Sequence, residues 1–308
     1  MQKLKLRTRD YPLWFLLQGL SRLPFSILYF LSDGVYLLLY HVIGYRKKVV
    51  FQNLGRSFPE KDSGEIEAIA KKFYRNLADI IFEILKLGTI TQAEMGRRVQ
   101  YRNPELIQAY LDEGHTLIAL GSHACNWEWG MPSSSLYFNS KVDGVYKPLH
   151  SPFFEQYMRF LRGRLGPHPV KMKEVLRHLI THRKEARMLC LLSDQTPPGG
   201  EIQYWTTFLN QDTPFYVGAD KLADAFKYPV IFIAARRVGR GRYEFSFELL
   251  QEAGVKEKEA EFSITEAYAR TLEKWIRQYP ADYLWSHRRW KHTRPAGSPQ
   301  STVDGPQL

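Results

Sequence analysis

One histidine of this chain stands in a setting suited to base catalysis. His123 follows an apolar run, residues 116–120, which is bounded by glycines and predicts a buried strand. Reactive residues of open α/β sheets gather just beyond the carboxyl ends of the strands. Glu128 lies five residues later, in the predicted first turns of a helix, where its carboxylate can accept a hydrogen bond from one imidazole nitrogen. The other nitrogen then stays free to take a proton from an alcohol.

Spacing alone leaves a second interpretation of His123 and Glu128 open. On one continuous helix, five residues amount to about 500° of rotation, so the two side chains point apart. They meet only if the histidine lies in the strand-to-helix turn. A histidine that fills a turn beside an exposed glutamate produces the same pattern.

Asp194 and Gln195 follow another predicted strand, residues 188–192. Because the carboxyl ends of parallel strands meet at one edge of a sheet, we expect both side chains to share a rim with His123. Asp194 can orient a catalytic group there or hold an arginine. The simpler alternative is that it caps the turn that follows.

Other chemistries find little support in the sequence. Ser122 lacks the G-x-S-x-G setting of a hydrolase nucleophile. The two cysteines, Cys125 and Cys190, have neither metal-site spacing nor a disulfide framework, which fits a reducing compartment and a packing role. The sequence contains no phosphate-binding glycine loop and no metal cluster, so we expect neither a cofactor nor a metal.

Strand and helix signals alternate through most of the chain after residue 114. The predicted strands are 116–120, 142–146, 188–192, 229–235 and 243–250. The predicted helices are 46–58, 63–87, 104–114, 127–138, 152–165, 172–182, 215–226 and 264–278. This alternation predicts an α/β fold with a mainly parallel sheet flanked by helices.

The N-terminal region has a different character. Residues 12–45 are largely apolar, and basic residues flank them on both sides. The best window, 23–45, is long enough to span a bilayer but carries Asp33 near its middle. We predict that residues 1–45 form a membrane anchor that spans or re-enters the bilayer. A buried helical hairpin of a soluble domain is the alternative.

The remainder divides into two parts. Residues 46–295 are predicted to form one catalytic domain, and the polar tail 296–308 is predicted to be disordered. The net charge of +11 favours anionic partners, such as phospholipid headgroups, lipid phosphates or an acidic carrier protein. Nucleic acid remains an alternative on composition, but no nucleic-acid motif accompanies it and we expect no such partner.

Four segments, in order, resemble the lipid A biosynthesis acyltransferases, the late lauroyl and myristoyl transferases of lipopolysaccharide assembly. The resemblance covers about residues 12–295. The matching residues are Asn53-Leu54 with Phe58-Pro59-Glu60; His123-x4-Glu128; Asp194-Gln195; and Trp285, His287, Arg288, Arg289, Trp290 and Lys291 with Arg294-Pro295. The resemblance implies an inner-membrane enzyme with a glycerol-phosphate-acyltransferase-like fold and its catalytic domain facing the cytoplasm. It also implies acyl transfer from acyl carrier protein to a 3-hydroxyacyl chain of a lipid A precursor.

The resemblance also distributes roles among the residues. It points to His123, Glu128, Arg164 and Asp194 as catalytic residues. It points to Asn126, Lys147, Arg159, Gln195, Arg288 and Arg289 as substrate contacts. The fixed fork of Arg164 suits a phosphate or a developing oxyanion, although a solvated basic face is the alternative. The terminal tryptophans and arginines suit a membrane interface.

One departure from the family's sequence pattern leaves other acceptor lipids as alternatives. Lys147 stands where the family usually has arginine, in a segment expected to bind substrate. Acylation of another polar lipid, an aminolipid or a glycolipid, is therefore the first rival function. A non-catalytic membrane or nucleic-acid binding protein that retained the fold is the second.

Overall fold

The computed structural model describes residues 6–255 and 261–295 and contains a seven-stranded sheet flanked by helices. The predicted tail 296–308 lies outside the described residues. The strands of the sheet stand in the order β1-β9-β8-β2-β5-β3-β4. Their bounds are β1 Val99–Tyr101, β2 Leu117–Gly121, β3 Lys141–Tyr146, β4 His168–Lys171, β5 Arg187–Leu192, β8 Val230–Gly239 and β9 Arg242–Gln251, and a separate hairpin consists of β6 Tyr204–Phe208 and β7 Gln211–Phe215.

The sheet is mainly parallel, which confirms the predicted fold class. Strand β2 pairs in parallel with β5 on one side and β8 on the other, and β3 pairs in parallel with both β5 and β4. Only β9, antiparallel to β8, and its neighbour β1 run the other way. The carboxyl ends of β2, β5 and β3 therefore open at one edge, and β2 is buried along its whole length.

Helices cover the sheet. Their bounds are α1 Tyr11–Arg22, α2 Phe25–Leu37, α3 Lys47–Ser57, α4 Ser63–Lys86, α5 Gln92–Arg98, α6 Glu105–Asp112, α7 Trp127–Tyr137, α8 Pro152–Gly163, α9 Val175–Thr181, α10 Gly218–Phe226 and α11 Ser263–Gln278. Helix α4 begins one residue after Asp62, whose side chain accepts from the Glu65 backbone while the Glu65 side chain accepts from the Asp62 backbone. This reciprocal cap satisfies two backbone donors at the helix start.

The apolar N-terminal region forms two helices because Pro24, which cannot donate a backbone hydrogen bond, separates α1 from α2. A π-helical turn, Leu38–Val42, continues α2. Together, Phe25–Val42 is the one stretch of the described chain with the length and hydropathy to cross a membrane. One side of it is exposed and apolar, as Phe30 and Val42 show with 76% and 74% exposure.

The other side of α2 is polar and is bound to α4. Ser32 donates to Asp79 at 2.6 Å, Tyr29 donates to Glu83 at 3.1 Å, and beyond the helix Tyr40 donates to Glu67 at 3.2 Å. At the opposite end, Lys86 donates to the Ser21 and Leu23 carbonyls. The two helices are therefore joined along almost the whole length of α2.

Candidate active site

His123 lies between the end of β2 and the start of α7, and its imidazole contacts Asp194. The ring Nδ1 stands 2.7 Å from Asp194 Oδ1, and the His123 backbone N–H donates to Oδ2 at 3.0 Å. Asp194 reaches this position because β5 runs beside β2 in parallel, with Leu192 opposite Gly121. The next two residues of each strand therefore emerge side by side.

Asp194 is held as a carboxylate. Burial raises the pKa of the Asp194 carboxyl, but the His123 ring, the His123 backbone N–H and the Arg289 charge outweigh burial and bring the pKa below its usual value. An ionised carboxylate can only accept, so the proton of a neutral imidazole lies on Nδ1. The lone pair of Nε2 then faces away from Asp194, which is the arrangement that a general base needs.

Glu128 has a different partner from the one expected. Its carboxylate accepts from Arg162 Nε at 2.8 Å and from Nη2 at 2.6 Å, a bidentate pair that joins α7 to α8. The side chains of Glu128 and Arg162 are 4% and 15% exposed. The prediction of a hydrogen bond between Glu128 and His123 is therefore wrong, because the Glu128 carboxylate binds Arg162 instead. Helix α7 begins at Trp127, which turns its second residue toward α8 rather than back to the strand.

A groove opens on the Nε2 side of the imidazole. With the proton on Nδ1, His123 Nε2 accepts from the Gln195 side-chain amide at 3.2 Å, and the Trp127 ring meets the imidazole edge to face at 5.1 Å. Both residues also line a cavity of about 420 Å³. Its other walls include the apolar side chains Leu39, Leu77, Ile81 and Leu284. The cavity therefore begins at two residues that contact the histidine and continues along apolar walls toward the N-terminal helices, which suits a fatty acyl chain.

The C-terminal segment, residues 285–289, is hydrogen-bonded to the loop that carries Asp194 and Thr196. His287 Nε2 accepts from the Thr196 backbone N–H at 3.3 Å, and the Thr196 hydroxyl donates to the Arg289 carbonyl at 2.6 Å. Asn53 joins α3 to the same segment by donating to the Trp285 and His287 carbonyls at 2.8 and 2.9 Å. Segments far apart in the chain therefore converge around one loop.

The sequence of this chain is similar to that of known proteins over nearly its whole length. The model of the family described as "Bacterial lipid A biosynthesis acyltransferase" matches residues 3–292. The chain belongs to this family. It is 23% identical over 288 residues to the lipid A biosynthesis lauroyltransferase of Escherichia coli strain K12, covering 93% of this chain and 91% of that one. It is also 19% identical over 287 residues to the lipid A biosynthesis acyltransferase of Haemophilus influenzae strain ATCC 51907, covering 91% and 87%.

As a member of the lipid A acyltransferases, the protein is an acyltransferase with a role in lipid A biosynthesis. The motif residues of this acyltransferase do not all reach the groove. Asn126 is fully buried: it caps α7 by accepting from the Trp129 backbone and donates to Glu83 at 2.8 Å. Both ends of the Asn126 amide are therefore occupied by protein groups, which join α7 to α4.

Two arginines also differ from expectation. Arg164 donates to the Leu87 and Ile90 carbonyls and so fastens the end of α8 to the segment after α4, instead of facing the groove. Arg289 is 1% exposed, and its guanidinium lies 4.4 Å from the centre of the Phe215 ring. Arg289 is thus buried, and its charge helps to bring the pKa of Asp194 below its usual value.

The other expected substrate contacts lie at or near the surface of the acyltransferase. Lys147 is exposed just beyond the carboxyl end of β3, and Arg288 is exposed in the C-terminal segment. Arg159 is half-buried on α8. Their roles as substrate contacts remain predictions.

Sequence reasoning missed Arg162 as the partner of Glu128, although Arg162 was visible as one of several cations on α8. The sequence spacing did not indicate Arg162, because residues that pair across two helices have no fixed separation along the chain. His287 was noticed as part of a motif, but its position under the Asp194 loop was not.

We expect the stability of the acyltransferase to fall in mild acid because of His287. Burial, with the Arg289 charge, lowers the pKa of His287 to about 4, below the unfolded value of about 6.5. The folded state therefore prefers neutral His287. Its contribution is complete above about pH 6.5 and is lost as the pH falls toward about 4.

The variant His287→Gln keeps an acceptor for Thr196 but does not titrate in this range. Urea unfolding between pH 7 and pH 4.5 should show a shallower loss of stability for this variant than for the wild type. Identical slopes for the two proteins would contradict the assignment.

Proposed function

We propose that the protein transfers a fatty acyl chain from acyl carrier protein to the hydroxyl of a 3-hydroxyacyl chain on a lipid A precursor. His123 is the general base and Asp194 is the carboxylate that orients it. The observation that carries the proposal is the hydrogen-bonded His123–Asp194 pair, whose imidazole contacts Gln195 and Trp127, two residues that line a largely apolar groove.

The reaction follows from the orientation of the imidazole. His123 Nε2 takes the proton of the acceptor hydroxyl, and that oxygen attacks the thioester carbonyl carbon. As the tetrahedral intermediate collapses, the new C–O ester bond remains and the C–S bond breaks. The imidazolium then returns its proton to the departing thiolate of the donor. Asp194 stabilises the imidazolium between these two steps without taking a proton itself.

The direct test uses the purified protein in detergent micelles. The Escherichia coli relative is named a lauroyltransferase, so lauroyl-acyl carrier protein is the first donor to assay. The acceptors are a 3-hydroxyacylated lipid A precursor and, in parallel, an aminolipid and a neutral glycolipid. Mass spectrometry should show one added acyl group on the first acceptor. Acylation confined to another lipid would replace the proposed acceptor, and transfer to none of them would refute the function.

We also propose that an acidic carrier protein is steered to the site by positive charge. Lys147 and Arg288 are the exposed cations among the expected substrate contacts. Screening shortens electrostatic attraction to about 8 Å at physiological ionic strength, so added salt should lower kcat/KM for the carrier-bound donor. A short uncharged thioester should respond much less. The double variant Lys147→Gln/Arg288→Gln should remove most of this difference.

Steady-state kinetics on both donors across a salt series measure the effect. Parallel salt curves for the two donors would contradict steering. The earlier candidate Arg164 is omitted from the variant because its guanidinium is occupied by backbone carbonyls.

We further propose that residues 1–45 hold the protein on the cytoplasmic face of the inner membrane, with α2 lying along the surface. The support is the attachment of the polar side of α2 to α4, which leaves only its apolar side for lipid. A helix that crossed the bilayer would place Arg9 and Lys47 on opposite sides. Both native cysteines are buried, so single introduced cysteines can report on the topology.

We expect carbonate and high-salt washes to leave the protein in the membrane fraction. In spheroplasts, Arg9→Cys and Lys47→Cys should both resist an impermeant thiol reagent until the cells are opened. Labelling of one position from outside would show a spanning helix instead. A fully soluble wild-type protein would refute the anchor.

A further inference from the structure

A second large cavity lies away from His123, where α2, α4 and the β8–β9 hairpin meet. Its volume is about 680 Å³. The hairpin is fixed there by Arg240, which binds Asp33 on α2 and Asp79 on α4 at 2.6 and 2.7 Å. The cavity is thus part of the fold, and its walls come from these three elements and from Asp282.

The carboxylates of this cavity are already satisfied by protein donors. Asp79 accepts from Ser32, Arg237 and Arg240. Asp282 accepts from the Asn76 amide at 2.9 Å and from the Arg237 backbone at 3.2 Å. These groups therefore have no need of a bound cation.

Two cations of the lining, Lys72 and Arg75, make no hydrogen bond or ion pair with a carboxylate of the described residues, although burial raises the pKa of Asp282 and the Lys72 charge acts against that rise. The cavity carries four cationic and three anionic side chains. Lys72 and Arg75 are exposed on α4 and donate no hydrogen bond and form no ion pair within residues 6–255 and 261–295; Arg75 lies 5.0 Å from the centre of the Tyr36 ring. The N–H groups of these two cations suit an anion with several acceptor oxygens, such as a phosphate.

The surroundings of these cations are apolar. Leu37 and Val238 line the same cavity and are 54% and 52% exposed. Leu37 continues the exposed apolar side of α2. Cations beside exposed aliphatic side chains match the chemistry of a phospholipid, whose phosphate adjoins acyl chains.

This cavity is separate from the groove at His123. The groove is lined by Leu77 and Ile81 of α4, whereas the cavity is lined by Lys72, Arg75 and Asp79 of the same helix. At 100° per residue these two sets point to opposite faces of α4. A ligand of the cavity is therefore not a reactant bound at the histidine.

We propose that this cavity binds the phosphate headgroup of an anionic membrane phospholipid, through Lys72 and Arg75, and so fixes how the enzyme sits on the bilayer. The proposal goes beyond acyl transfer, because it assigns a lipid that is bound and not consumed. Phosphate is the shared chemistry of a lipid headgroup and of soluble phosphates, and the apolar rim favours the lipid.

The test is calorimetric titration of the detergent-purified full chain with dioctanoyl phosphatidylglycerol, without acyl donor. Dioctanoyl phosphatidylcholine and glycerol 1-phosphate are titrated in parallel. Each lysine or arginine near an anionic surface contributes about fivefold in affinity. The variant Lys72→Gln/Arg75→Gln should therefore bind phosphatidylglycerol about 25-fold more weakly. The control Lys274→Gln/Arg277→Gln removes two exposed cations from α11, outside the cavity, and should bind as the wild type does.

Equal affinity of the wild type for the two lipids would overturn the proposal. Equal weakening in both double variants would also overturn it, because the effect would then be general surface charge. Binding of glycerol 1-phosphate as tight as that of the lipid would overturn the lipid as the ligand. Thermal unfolding of each variant shows that the fold is kept. Since no turnover is measured, these outcomes are independent of whether acyl transfer is confirmed.

Discussion

Replacing His123 with alanine is expected to lower the rate of acyl transfer about a hundred- to ten-thousandfold while the protein stays folded. The imidazole is the only group proposed to take the hydroxyl proton, and a positioned general base contributes about 10²- to 10⁴-fold to rate. The side chain is 16% exposed at the groove, so its removal opens no large cavity in a core. The measurement is single-turnover acyl transfer at pH 7.5, with a thermal unfolding curve for the same preparation.

Asp194→Asn separates the two candidate carboxylates. An amide in place of Asp194 can donate to Nδ1 and so favours the wrong tautomer, with the proton on Nε2. We expect a loss of about a hundredfold or more in kcat, and a changed pH–rate profile. Near-normal turnover in folded His123→Ala would refute the mechanism. Near-normal turnover in Asp194→Asn would refute the orienting role of Asp194 and would favour Glu128 as the carboxylate that orients the imidazole.

The second large effect is expected on stability, from Glu128→Gln. Glu128 and Arg162 form a bidentate pair that is almost removed from solvent. Removing one partner of such a pair leaves the other charge uncompensated and costs about 3–5 kcal/mol. We expect chemical denaturation in micelles to show a loss of this order in the free energy of unfolding.

The double variant Glu128→Gln/Arg162→Met tests whether the cost arises from the stranded guanidinium. Removing both charges should restore much of the stability lost by Glu128→Gln alone, because no unpaired charge then remains. The conservative Glu128→Asp, with a shorter side chain, should lie between. If Glu128→Gln unfolds like the wild type but changes the pH–rate profile as Asp194→Asn does, the pairing with Arg162 is not the role of this carboxylate.

Most of the sheet was predictable from local pattern. All five predicted strands are present. Short apolar runs such as 116–120, bounded by glycines, are typical of buried strands, and residues 243–250 alternate as an edge or antiparallel strand does. The helices α4 and α11 were equally clear from their apolar periodicity. Strands β1 and β4 were missed because they have three and four residues. The β6–β7 hairpin was also missed, although β6 consists of residue types that favour strands.

The sequence predicted helix α4 correctly, but it did not indicate which residue caps the helix. Asp62 and Ser63 are adjacent at the start of this helix; Asp62 takes the capping position and Glu65 completes the reciprocal bond. Both residues can cap a helix. Which one does so depends on where the chain leaves the preceding turn, and periodicity alone does not resolve a shift of one residue.

The sequence by itself determined the class of fold, the family and the placement of His123 at the end of a buried strand. Each follows from residues that are close together in the chain or from motifs in order. Only the tertiary structure decided which carboxylate contacts the imidazole. Asp194 is 71 residues from His123 and meets it because β5 lies beside β2 in parallel. Glu128 is nearer in sequence, but its helix directs it to Arg162. Likewise, the motif arginine Arg289 is buried while Arg288 beside it is exposed. The physical reason is that strand pairing and burial are set by contacts between distant segments, which spacing along the chain does not encode.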